Sequence, residues 1–182
     1  MMQDTDKIFE QVKLGRGLWI GLFPERCEAL AENRMRILAG IERRPDEMPE
    51  LEDLHITLAH LGKNVSQSFV EKAHAAMEVT AAMHTEMMVN MTGVLRLRKH
   101  ITIALVPDQV IKLRTSLRGS LNDRQINVDD RFGMTPHMTI AKFGELEQPR
   151  VPFIAEKPLL FKGLTMVCGE FACVIPFSEG PF

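Results

Sequence analysis

Two stretches of this chain are nearly the same phrase. "LHITLAHLG" at 54–62 and "PHMTIAKFG" at 136–144 each place a His-x-Thr triplet in an apolar run that ends in glycine, and His55 and His137 stand 82 residues apart. The segments ahead of them repeat as well: "LWIGLFP" at 18–24 lies against "ITIALVP" at 101–107, an offset of 83, and an acid follows each proline, Glu25 or Asp108. Each run leads into a helical stretch, "PERCEALAENRMRILAG" closed by Gly40 and "PDQVIKLRTSLRGSLNDRQIN", with proline suited to the first turn. Two copies at this period are too few and too long for a solenoid. They read as one strand, helix, strand lobe written twice, in a single bilobal domain over 1–182 with halves near 14–95 and 96–182. A pseudo-twofold axis between the halves brings the two phrases face to face.

The remaining segments fill in around this frame. The first dozen residues, charged throughout, are expected to fray. Ser66 is placed to cap a helix over "QSFVEKAHAAMEVTAAM". "TEMMVNMTGVLRL" reads as one or two strands, "VDDRFGMT" as a second loop, and "PLLFKGLTMVCGEFACVIPF" as two closing strands.

In a strand, alternate side chains share a face. His55 and Thr57 therefore point one way with Ile56 and Leu58 behind them, and His137 and Thr139 do the same, backed by Met138 and Ile140. Two imidazoles and two hydroxyls converging on one cleft suit a phosphodiester. Imidazole titrates near neutrality, so one ring can take a proton from a nucleophile while its twin gives one to the leaving oxygen. Threonine hydroxyls can donate to the non-bridging oxygens, where charge builds in the transition state. This chemistry requires no metal or cofactor.

Composition narrows the partner. The formal charge is −2 and the sequence pI about 6.3, without the basic excess that holds long duplex nucleic acid. A small anionic ligand fits better. Cys27, Cys168 and Cys173 are odd in number and lack zinc-type spacing, which suggests reduced thiols rather than disulfides or a structural metal. With no apolar leader at the N-terminus and no run of membrane-spanning length, a cytoplasmic protein is expected.

The paired "HITL" and "HMTI" resemble the two signatures of the 2H phosphoesterase superfamily, which includes the 2′-5′ RNA ligase-like and RNA 2′,3′-cyclic phosphodiesterase proteins. "LWIGLFP", the proline of "PHMTIAKFG" and the terminal "GEFACVIPF" match further landmarks of that family, so the resemblance covers most of the chain. It implies an α+β fold of two pseudo-symmetric lobes, each an antiparallel sheet flanked by helices, around a central cleft. It implies His55 and His137 as acid and base and Thr57 and Thr139 as phosphate anchors. Trp19 falls where relatives carry an aromatic able to stack on a base. Lys142 stands where many relatives place an arginine, and lysine offers a point charge in place of a planar fork. Strand parity turns Lys142 away from His137 unless a bulge intervenes.

The expected substrate is a small nucleotide, a short RNA or a cyclic oligonucleotide: a 2′,3′-cyclic phosphate, a 2′-5′ linkage or a small cyclic nucleotide. Phage-encoded relatives that cleave cyclic oligonucleotide signals are one possible subclass. A non-catalytic nucleotide- or RNA-binding module with the same cleft is the alternative. By the same parity His60 faces away from His55, and His100 adjoins a short basic run at 96–99 that reads as a solvated turn.

Overall fold

The structure is a computed structural model that describes residues 3–25, 28–41, 43–128, 135–144 and 158–179. Its helices are α1 (Asp4–Lys13), α2 (Glu28–Ala39), α3 (Gln67–Ala82) and α4 (Pro107–Asn122), with a 3₁₀ turn at Leu51–Asp53. The strands are β1 (Leu18–Leu22), β2 (Ile56–Gly62), β3 (Met87–Leu97), β4 (His100–Leu105), β5 (His137–Lys142), β6 (Pro158–Phe161), β7 (Gly163–Cys168) and β8 (Phe171–Pro176).

These form two four-stranded sheets, ordered β2-β1-β7-β8 and β5-β4-β3-β6, with the neighbouring strands antiparallel. The orders superimpose: β2 corresponds to β5, β1 to β4, β7 to β3 and β8 to β6. This is the α+β, two-sheet architecture expected from the sequence. The sheets do not follow the sequence halves, however. β3, from the first half, lies in the second sheet, while β7 and β8, from the second half, complete the first. Each sheet therefore holds strands from both halves, which the local repeat could not reveal because it spans only the strand, helix, strand core of each lobe.

Three local expectations change. The N-terminal segment forms α1 instead of fraying: Ile8 and Val12, one turn apart, are buried, and the backbone N–H of Gln3 donates to the Asp6 carboxylate at 3.2 Å. The stretch from 87 to 97 is one strand, β3, whose first residues pair with β6 and whose later ones pair with β4. The C-terminal region holds three strands rather than two. Cys27 and nearly all of the expected second loop at 128–135 lie outside the described residues.

Capping and burial account for the rest. Ser66 Oγ accepts from the Phe69 N–H at 3.1 Å and starts α3, and Pro107 occupies the first turn of α4, where its missing N–H costs no helical bond. α3 and α4 meet through a buried hydroxyl pair: Thr80 Oγ1 donates to the Ala76 carbonyl at 2.8 Å and lies 3.1 Å from Ser120 Oγ, from which it can accept. Apolar residues of the inner strands, among them Ile20, Leu22, Ile101 and Ile103, fill the core. β2 and β5 are the outer strands of their sheets and touch each other, so the two triplets come together at the seam.

Candidate active site

One cavity of about 200 Å³ is lined by His55, Thr57, His137 and Thr139, together with Pro49 and Asp53. The four motif residues thus converge, as the duplication predicts. His137 opens β5, and His55 stands one residue before β2. Behind them Ile56, Leu58, Met138 and Ile140 are buried, which anchors each edge strand by its inner face.

Both imidazoles are held alike. His55 Nδ1 lies 2.6 Å from the carbonyl oxygen of Asp53, and His137 Nδ1 lies 2.7 Å from that of Thr135. A carbonyl oxygen only accepts, so each Nδ1 carries its proton. Each Nε2 is then left as the nitrogen that takes or gives a proton, the arrangement acid–base catalysis needs.

The first histidine has an aromatic enclosure. Its ring lies 4.3 Å from the centroid of Trp19 and 5.3 Å from that of Phe23, and those two are 5.9 Å apart. Trp19, Gly21 and Phe23 alternate along the chain through β1 and so share a face. A Cβ on Gly21 would stand 2.7 Å from both the indole and the Ile56 carbonyl oxygen, so glycine is what lets the indole fold across the strand toward His55. Desolvation in this setting is the largest influence on His55 and lowers its pKa below the usual imidazole value, against the hydrogen bond to Asp53, which raises it.

A shared irregularity overturns the parity argument. In the β1–β2 ladder Ile20 faces Ala59 and Gly21 faces Thr57, which leaves Leu58 as an extra residue. In the β4–β5 ladder Ile101 faces Ala141 and Thr102 faces Thr139, which leaves Ile140 extra. Both motif strands carry a β-bulge at the third residue after the histidine, so side chains beyond it change face. Lys142 therefore stands on the Thr139 side and lines a second cavity with it. The same bulge brings His60 round to the His55 side, contrary to the sequence expectation, where its electrostatic influence works in the same direction as burial and lowers the His55 pKa. A histidine or lysine five residues after each motif histidine was the visible signal, but its meaning depends on a bulge that no residue pattern announced.

The ladders also correct the first-strand alignment. Ile20 and Ile101 occupy equivalent positions, an offset of 81 rather than 83, which makes His100 the counterpart of Trp19. Trp19 pairs with His60, and His100 pairs with Lys142. His100, which adjoins the basic run read from sequence as a solvated turn, lines the second cavity, of about 410 Å³, with Lys142, Thr139, Glu47, Met48 and Pro49.

Among the described residues no group of three or more His, Cys, Asp or Glu side chains is arranged to hold a metal, and no helix is long and apolar enough to cross a membrane.

A family model described as the 2′-5′ RNA ligase superfamily matches residues 24–174. No curated protein matches. Among solved structures, the fold is similar to TT0787 of Thermus thermophilus, with a TM-score of 0.64 and 16% identity, covering 89% of this chain and 95% of that one. It is similar to E. coli LigT complexed with 3′-AMP at a TM-score of 0.59 and 16% identity, covering 90% and 96%. The MHV ns2 PDE domain aligns at a TM-score of 0.66 and 14% identity, covering 84% and 99%.

Proposed function

The chain belongs to the 2′-5′ RNA ligase superfamily, and from that premise we propose that it is a metal-independent phosphodiesterase acting on a 2′,3′-cyclic phosphate, a 2′-5′ linkage or a small cyclic oligonucleotide. The observation that carries this reading is the single cavity into which two His-x-Thr triplets project, each histidine fixed by a backbone carbonyl through Nδ1. LigT was solved with 3′-AMP and the ns2 structure is of a PDE domain, which supports a small nucleotide phosphodiester as the substrate.

The chemistry follows from the groups present. His55, with its pKa lowered by burial, is neutral at pH 7, and its Nε2 takes the proton of water or of a ribose hydroxyl as that oxygen attacks phosphorus. The bond from phosphorus to the leaving ribose oxygen breaks, and that oxygen receives a proton from Nε2 of protonated His137. Thr57 and Thr139 donate to the non-bridging oxygens as negative charge accumulates there. Trp19 and Phe23 shield His55, and His60 adds a further bias toward its neutral form. A cavity of about 200 Å³ lies below the range of about 300–1,000 Å³ usual for sites that enclose a whole small molecule, so it suits the phosphodiester itself, with the nucleosides lying outside it.

The test is a chelator-treated panel of 2′,3′-cyclic mononucleotides, a 2′-5′ linked dinucleotide, a cyclic-phosphate-ended RNA, and cyclic di- and trinucleotides. Cleavage of one class that survives chelation supports the reading and names the substrate. Binding without cleavage of any member would favour the non-catalytic module, and activity restored only by a divalent metal would refute metal independence.

A further inference from the structure

The second cavity, of about 410 Å³, adjoins the catalytic one and shares Pro49 and Thr139 with it. Its size falls within the range of sites that enclose a small organic group. A substrate with its phosphodiester at the triplets thus has a neighbouring space for the next moiety. His100 supplies a flat ring and Met48 an apolar wall, while the charged groups, Lys142 and Glu47, decide what that moiety can be.

Left alone, Lys142 would make this a phosphate site. It is not left alone: Lys142 Nζ lies 2.7 Å from Glu47 Oε1. The pairing is built into the backbone. Glu47 and Lys142 form an antiparallel bridge, with the Lys142 N–H donating to the Glu47 carbonyl at 2.9 Å and the Asp46 N–H donating to the Lys142 carbonyl at 2.8 Å. The loop from α2 is thereby laced to the end of β5, and the carboxylate is held opposite the ammonium. The same loop sets a second carboxylate, Asp46, 3.8 Å from Arg43. An anion entering the cavity must share the Lys142 ammonium with Glu47 and face its carboxylate as a like charge. A nucleobase meets no such conflict, because the carboxylate accepts from its N–H groups and the ammonium donates to its ring nitrogens or carbonyls.

We propose that Glu47 is a specificity-determining residue: paired with Lys142, it makes the second cavity a subsite for the uncharged base of the nucleoside beside the scissile phosphodiester and excludes a second phosphate group from it. The proposal rests on the reading that the triplet cavity takes the phosphodiester. It narrows the substrate class to one whose flanking group at this side is a nucleoside without a further phosphate.

Calorimetric binding of adenosine 2′- and 3′-monophosphate against adenosine 2′,5′- and 3′,5′-bisphosphate tests it. The wild type is expected to bind each bisphosphate no more than about threefold tighter than its monophosphate. Glu47→Gln, isosteric and at an exposed side chain, is expected to raise the ratio of bisphosphate to monophosphate affinity at least tenfold. Glu47→Gln combined with Lys142→Gln is expected to lose that gain, since the gain comes from the released ammonium. A wild type that already prefers bisphosphates tenfold, a ratio unchanged in Glu47→Gln, or no binding of any of these ligands would overturn the proposal. Catalysis is scored separately on the substrate panel. A shifted binding ratio without cleavage by the wild type sinks the catalytic reading and leaves the subsite standing, whereas cleavage with an unchanged ratio sinks the subsite alone.

Discussion

Arg114 Nε donates to the carbonyl oxygen of Leu58 at 2.9 Å, so a helix of the second half holds the bulge in the motif strand of the first. Leu58 is the residue the β1–β2 ladder leaves over, and Arg114 is buried at 6% exposure beneath it. A bulge frees backbone groups from the ladder, and a freed carbonyl facing the core needs a donor. The guanidinium provides one across the two halves and so links the bulge to the packing of α4.

Arg114→Met fills a similar volume but removes that donor. Losing a charged hydrogen bond to a buried acceptor is expected to cost about 2–3 kcal/mol, read as a lower midpoint in urea unfolding. Turnover of the folded variant is expected to fall as well, because the bulge sets the placement of Thr57 and His60. A variant as stable and active as the wild type would mean that β2 holds its bulge unaided.

The carbonyls of Asp53 and Thr135 specify one tautomer for both motif histidines. Long-range nitrogen–proton correlation spectra at pH 8 are expected to show Nδ1 protonated and Nε2 as a bare lone pair for His55 and His137. A proton on Nε2 of either neutral ring would contradict the proposed direction of proton transfer.

Burial against Trp19 and Phe23 lowers the pKa of His55, so its neutral form persists below pH 6.5. The acid limb of kcat/KM is therefore expected below that pH, set by the histidine pair as a coupled unit. Trp19→Ala, which opens the ring to water, is expected to move the limb upward. The effect on stability has a fixed sign. Because the folded pKa lies below the unfolded one, the unfolded chain binds more protons, and this contribution is intact above pH 6.5 and lost as pH falls through the folded value. An acid limb unmoved in Trp19→Ala would assign the indole to packing alone.

Thr57→Val and Thr139→Val remove a hydroxyl each with little change of shape, at positions that are exposed and half-buried. Turnover is expected to drop on the order of 10²-fold for each, as for other donors to transition-state oxyanions. A loss under about threefold in a folded variant would reassign that threonine to the wall of the cavity.

What the chain disclosed in advance was what short-range repetition can carry. The His-x-Thr phrases, the helix that starts at Pro107 and the Ser66 cap each depend on residues within a few positions of one another, and these elements stand where the periodicity placed them; α2 is described only from Glu28, and Pro24 stands outside its first turn. The pairing of β3 with β4 and of β7 with β1 joins segments whose strand patterns carry no label of partner, so the exchange between halves was not legible. The bulges at Leu58 and Ile140 were hidden for another reason. Both are apolar residues in apolar runs, and only the ladder shows that one partner faces two. That single feature decided His60, Lys142 and, through the corrected register, His100.

If His55 and His137 act as one acid–base unit on a phosphodiester, a double-mutant cycle will show it. kcat/KM would be measured on the cleaved substrate for the wild type, His55→Ala, His137→Ala and the double variant. Residues that share one proton relay are grossly non-additive, so each single variant is expected to lose about as much activity as the double. Losses that multiply, or substantial activity remaining in either single variant, would mean that the two histidines do not act as one acid–base pair.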